Sequence, residues 1–379
     1  MGARSKIEWT DSTWPVVTGC TPISPGCDNC YAARHARRFA GTTAWPNGFD
    51  VTLWPDRLDQ PMRWRAPRKV FVCSTGDLFH DKVPDEYIAH VFAVMQSCAT
   101  HTFQVLTKRH GRMRSLLTSD RFWSAVTDFG EHVMAQRPSR RQLWPNHGQL
   151  HGFLPNVWLG VSVESQYWAD RRIPALLDTP AAVRYLSLEP LLELVELRRA
   201  LRKWTPPQDH RAWDGQRLRV GEVLHWVIAG GESGPQARPL HPDWVRGIRD
   251  ECVQADIAFY FKQFGEYLPV AVTDDEDFRF GRAYDHPLGG RCSPVIRVPA
   301  PGATTLRGGQ ERLLEVGERT TNTVLLDRDT IAVRVGKRRA GRVLDGWTWD
   351  QYPSAVTETA ARVGTNQVGA STPVQEAQS

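Results

Sequence analysis

Between residues 68 and 265 the chain repeats one pattern: a short run of β-branched and aromatic residues followed by a stretch with helical spacing. The runs fall at 70–73, 103–106, 157–161, 183–186, 225–229 and 258–261, and their length and composition predict strands. Between them, 84–96 carries Tyr87, Ile88, Val91, Phe92 and Met95 on one helical face, with Asp85 and Glu86 at its N-terminal end, where carboxylates suit the helix dipole. The stretch 242–255 opens on Pro242-Asp243 and turns Trp244, Val245, Ile248 and Cys252 inward. Strand and helix in alternation build parallel β/α units. Six such units after a cysteine-bearing first segment predict an α/β fold, a partial or complete parallel β/α barrel.

Each predicted strand ends near an ionisable residue: Asp77, Lys108, Glu164, Glu189, Glu232 and Lys262 in chain order. One such residue is an ordinary cap or solvated charge. Six at equivalent positions converge on one mouth, because the C-terminal ends of barrel strands meet there. Around Glu232 the run Gly230-Gly231-Glu232-Ser233-Gly234 lets backbone approach a ligand beside a carboxylate, or makes a glycine-rich strand-to-helix turn. Its spacing is not that of a dinucleotide-binding loop.

Cys20, Cys27 and Cys30 follow C-x6-C-x2-C spacing in a loop stiffened by Pro22, Pro25 and Gly26. Three thiolates can hold three irons of a [4Fe-4S] cluster and leave the fourth open to a small molecule. Zinc is the competing reading, with His35 completing a Cys3His set. A disulfide framework is not expected, since seven cysteines is an odd number and no signal peptide precedes them. Of the rest, Cys73 and Cys98 read as small core residues.

With 41% hydrophobic and 23% charged residues, the 379-residue chain has the composition of an ordinary soluble protein. No apolar run reaches the length needed to cross a bilayer, so no membrane partner and a cytoplasmic location are expected. A net charge of +5 permits a polyanionic partner. Two basic runs, Arg34 with Arg37 and Arg38, and Arg137 with Arg140 and Arg141, read singly as solvated faces. Most of the fifteen tryptophans read as core residues, but Trp9, Trp14, Trp54 and Trp64 flank the cysteine region, where exposed rings could stack on bases. The expected domains are an iron-sulfur barrel over 1–268, a β-rich appendage over 269–354 and a disordered tail over 355–379. An insertion at about 115–155 holds His132, His147 and His151, read as surface histidines.

The run Ile7-Glu8-Trp9-Thr10-Asp11, the cysteine loop through Tyr31, and the motifs Asp77-Leu78-Phe79-His80, Gln104-Val105-Leu106-Thr107-Lys108-Arg109, Gly160-Val161-Ser162-Val163-Glu164, Leu188-Glu189-Pro190-Leu191 and Gly230-Gly231-Glu232-Ser233-Gly234 resemble the phage-associated three-Cys-motif protein family. The likeness resumes at Gly336-Lys337 and from Leu344 to Pro353. It implies distant kinship to radical S-adenosylmethionine enzymes, whose partial barrel carries a cysteine loop after the first strand. There the open iron chelates S-adenosylmethionine, and the reduced cluster, fed by a donor such as flavodoxin or ferredoxin, cleaves the cofactor to a 5′-deoxyadenosyl radical. The chain departs from that superfamily's C-x3-C-x2-C spacing, and its glycine-rich Glu segment comes later in the sequence. The resemblance implies Cys20, Cys27 and Cys30 as metal ligands. Asp77, Glu164, Gly230, Gly231, Glu232 and Ser233 are expected to bind cofactor, and Glu189, Lys108 and Lys262 to be catalytic. The expected function is radical modification of a nucleic acid base or nucleotide in a phage or prophage context. The alternative is a non-catalytic nucleic-acid-binding protein with a structural zinc or iron-sulfur site.

Overall fold

The structure, a computed structural model, describes residues 5, 7–135, 152–204, 220–271, 303–305, 311–313, 323–327 and 330–353. Its centre is a seven-stranded sheet of β1 (Ser12–Trp14), β2 (Lys69–Val72), β3 (Thr102–Thr107), β4 (Val157–Ser162), β5 (Val183–Leu188), β6 (Trp226–Gly230) and β7 (Ala258–Gln263). Every neighbouring pair is parallel and the spatial order follows the sequence. Right-handed crossovers that always step to the next position put all the helices on one face. β1 and β7 do not pair with each other, so the fold is a partial barrel.

Side chains alternate across each strand, and that alternation sorts the core into two parts. Val70, Val105, Leu159, Leu186, Val227 and Phe259 pack under the helices. On the other face Phe71, Trp158, Tyr185, Trp226 and Tyr260 close around Trp9. Their rings meet edge to face, with Trp9 and Trp158 centred 6.1 and 5.9 Å from Trp226. This aromatic mass plugs the N-terminal end of the barrel. Trp9 in this plug, and Trp14 and Trp64 in the core under the helices, are buried rather than free to stack on bases. Trp54 is half-buried, with the Arg57 guanidinium 3.7 Å above its ring.

The helices used below are α1 (Tyr31–Arg38), α2 (Asp85–Ser97), α3 (His110–Leu117), α4 (Asp120–Ala135), α5 (Gln166–Leu177) and α6 (Pro242–Gln254). Residues 115–135, expected as an excursion, are largely helical. Phe122, Val126 and Val133 recur at helical spacing and are buried, and Phe122 and Trp123 pack on Phe92 of α2 at 5.5 and 6.0 Å. His147, His151, Arg137, Arg140 and Arg141 lie outside the described residues, as do Cys292 and the tail over 355–379.

β8 (Tyr267–Ala271), β9 (Thr323–Leu325) and β10 (Thr330–Arg334) form an antiparallel sheet in the order β8-β10-β9, the β-rich appendage. The chain then returns to the barrel. Residues 349–351 run antiparallel along the outer edge of β7, where the Phe261 N–H donates to Trp349 O at 2.8 Å and the Gln351 N–H to Phe259 O at 3.1 Å. Tyr352 enters the aromatic plug 5.2 Å from Trp226, and the Lys69 ammonium of β2 sits 3.7 Å from its centre. Among the described residues no helix is long and apolar enough to cross a membrane.

Candidate metal centre

β1 leads into a two-residue ladder of Val17–Thr18 with Thr52–Leu53, and then into Gly19. Gly19 has a φ of 82° and pairs with Gly76 beyond β2; a side-chain carbon there would stand 2.2 Å from the Asp50 carbonyl oxygen. The crossing delivers Cys20 to the mouth. From there the cysteine loop lies over the strand ends and is held at three places.

The first is at Cys20. Arg109, 8% exposed, donates from Nη1 to Cys20 Sγ at 3.3 Å and to Asp77 Oδ2 at 3.2 Å, and from Nη2 to the Thr21 carbonyl and hydroxyl at 3.2 and 3.0 Å. Asp77 accepts as well from the Thr107 hydroxyl at 2.7 Å and the Lys108 and Phe79 N–H groups at 3.1 and 3.0 Å. His80 accepts from the Lys82 N–H at Nδ1, so the network assigns its proton to Nε2, which donates to the Thr21 hydroxyl at 2.9 Å. Burial, then the Arg109 charge, lower the pKa of His80 and favour the neutral ring. Burial and Asp77 push the Cys20 thiol up, against the pull of Arg109.

The second place is the middle of the loop. Glu164 lies beneath Gly26, where a side-chain carbon would come within 3.2 Å of the carboxyl carbon. Glu164 is 1% exposed; its Oε2 accepts from Arg172 Nη1 of α5 at 2.8 Å, while Oε1 has no hydrogen-bond partner among the described residues.

The third joins Cys27 and Cys30 to the end of β6. Asn29 donates to Glu232 Oε2 at 2.9 Å and to the Gln236 carbonyl at 2.7 Å. Arg238 bridges Glu232 Oε1 at 2.8 Å, the Pro25 carbonyl at 2.9 Å and Asp28 at 3.2 Å. Burial works to raise the Glu232 carboxyl, but hydrogen bonds from Arg238 and Asn29 outweigh it and hold the pKa below the ordinary value. Arg34 of α1 donates to the Ser233 carbonyl at 2.9 Å and occupies the space a side chain at Gly234 would need.

Two expected residues pair directly, Lys262 with Glu189 at 2.9 Å, beside Gly230. Lys108 is half-buried, and its ammonium has no partner among the described residues. Gly231 allows backbone packing, since a side-chain carbon there would lie 2.0 Å from the Phe264 carbonyl oxygen. The Ser233 hydroxyl accepts from Gln263 at 2.8 Å. The carboxylates expected at the mouth are thus there, and each has a cation beside it. Arg109, Arg172 and Arg238, with Asn29 and His80, are site residues that the sequence reading did not assign. Arg172 had left a signal: it is a charge on the apolar face of α5, between the buried Ala169 and Ile173.

The donor set tests which metal suits the loop. Around one zinc ion, bonds of about 2.3 Å bring tetrahedral thiolates to about 3.8 Å from each other. Among the described residues only His241, Asp243 and Asp327 form a triad of possible ligands converging within 4.8 Å, so at least one pair of the three sulfurs stands farther apart than that. The His35 ring packs on Phe39 at 4.6 Å and Trp45 at 6.0 Å. Three soft ligands suit three corners of a cubane cluster, whereas a closed Cys3His zinc site would need the sulfurs and the His35 ring to draw together.

Fold and site together define an open parallel β/α barrel with a three-thiol loop clamped across its mouth. Residues 4–353 match the family described as "Protein of unknown function (DUF5131)", and the chain belongs to that family. No curated protein matches it. Among solved structures it is similar to a mutant of spore photoproduct lyase, with 10% identity over 70% of this chain and 79% of that one, at a TM-score of 0.38. It is also similar to spore photoproduct lyase complexed with dinucleoside spore photoproduct, with 11% identity over 68% of this chain and 65% of that one, at a TM-score of 0.32.

Proposed function

We propose that the protein is an iron-sulfur enzyme of the radical S-adenosylmethionine type, acting on a nucleic acid base or nucleotide. Three part-buried thiols on a loop fixed across a barrel mouth carry the reading. Cys20, Cys27 and Cys30 would hold a [4Fe-4S] cluster. When bound, it would supply the electron that cleaves S-adenosylmethionine.

The chain's own residues then divide their work. Glu164 Oε1 and the Lys108 ammonium, opposite in charge and both lacking partners among the described residues, suit the amino and carboxylate groups of a zwitterionic ligand. Asp77 and Glu232 hold the loop. Glu189 and Lys262 form the pair able to hold or move a proton beside Gly230. The aromatic plug excludes water from the opposite end. Arg37 and Arg38, exposed on α1, and Tyr31, 54% exposed at the loop's rim, suit phosphates and an extruded base. A flavodoxin- or ferredoxin-like donor and a phage or prophage setting belong to the same reading.

Anaerobic reconstitution tests it. The expected product binds about four irons and matching sulfide per chain, loses them in Cys20→Ala, Cys27→Ala or Cys30→Ala, and changes its reduced spectrum when S-adenosylmethionine is added. Stoichiometric zinc without sulfide overturns the reading. A cluster indifferent to S-adenosylmethionine leaves a structural cluster in a binding protein.

A further inference from the structure

We infer that Arg109 is a positioning residue that raises the reduction potential of the centre through the Cys20 corner, an inference that rests on the cluster reading above. The three sulfurs are not equivalent. Cys20 Sγ receives a charged N–H at 3.3 Å from a guanidinium that is 8% exposed. Cys27 has the Ser24 hydroxyl at 3.9 Å, and Cys30 has no donor at its sulfur among the described residues.

The guanidinium cannot drift. Its planar fork is fixed by Asp77 on one side and by the Thr21 carbonyl and hydroxyl on the other, and His80 holds that hydroxyl in turn. Reduction adds one negative charge to the cluster, part of it on the thiolate sulfurs. A donor aimed at a sulfur therefore stabilises the reduced state more than the oxidised one and raises the potential. Asp77, 3.2 Å from the same nitrogen, offsets the arginine charge at longer range, so what remains is local to Cys20. One corner is tuned and the other two are left alone.

The test is a redox titration followed by electron paramagnetic resonance on reconstituted protein, with iron and sulfide measured in every sample. Arg109→Gln combined with Asp77→Asn removes the donor without leaving a buried carboxylate unpaired. We expect it to keep its iron while the ratio of reduced to oxidised cluster at a fixed poise falls about tenfold, a drop of about 59 mV for a one-electron couple. Arg238→Gln loosens the other end of the loop without touching a sulfur and should leave the midpoint unchanged. Arg109→Lys keeps a charge opposite Asp77 but not the fork, and its lowered midpoint decides the matter if the double variant does not load. A full complement of iron with an unchanged midpoint overturns the role of Arg109 and leaves the cluster reading standing. Wild-type protein without iron or sulfide overturns both.

Discussion

Glu164 and Arg172 are the most deeply buried charges at the mouth, with side chains 1% and 0% exposed. Taking two ions out of water costs several kcal/mol for each, and their attraction offsets this only with good geometry. Here Arg172 Nη1 also donates to the Ser162 carbonyl at 2.8 Å, and the guanidinium sits 4.0 Å from the Trp168 ring centre. Removing one partner strands the other. Arg172→Met should lower the unfolding free energy in urea by about 3–5 kcal/mol, and Glu164→Met in the same chain should restore most of it. A single variant within about 1 kcal/mol of wild type would mean that the pair contributes little to folding. The sequence made Glu164 visible and left Arg172 unassigned for a physical reason. A strand end announces itself where the apolar run stops, whereas the cation that answers it arrives from another element. The same holds for Asp77 with Arg109 and for Glu232 with Arg238.

Elements were legible in proportion to their periodicity. The six apolar runs became β2 to β7 with ends displaced by a residue or two, and of the inward residues of α6 Val245, Ile248 and Cys252 came out buried and Trp244 half-buried. β1 escaped because Ser12-Thr13-Trp14 is three residues long and carries no apolar run. The strand-like segment 349–351 escaped because its partner, β7, lies far away in sequence and nothing local declares the pairing. Its anchor is Tyr352, packed on Trp226 and Tyr260 at 5.2 and 5.8 Å. Tyr352→Ala should cost about 2 kcal/mol, less than for a fully buried aromatic because this ring is half-exposed. In a thermal melt that is a fall of about 2–4 °C, whereas Tyr352→Phe, which keeps the ring, should stay within about 1 °C of wild type. Equal melting of all three proteins would show that the plug does not depend on the returning chain.

For the whole molecule, a net charge of +5 leaves binding to nucleic acid as a matter of local placement. Arg34 is occupied at the Ser233 carbonyl, so Arg37 and Arg38 are the members of that run left for phosphates. Single-stranded oligonucleotides should bind at least as well as duplex and weaken with salt, and replacing both arginines by alanine should reduce the slope of log affinity against log salt by about 1–2. Filter binding at several salt concentrations reads this directly. No retention of any oligonucleotide at low salt would leave a free nucleotide or another small molecule as the substrate. The return of the chain to β7 also bears on how the molecule is made. Until residues 349–351 emerge from the ribosome, the outer edge of β7 offers unpaired N–H and C=O groups, a template on which another unfinished chain can dock. Only a nascent chain completed through this segment hides its own adhesive edge, so a stalled or clipped product carries the mark by which it aggregates.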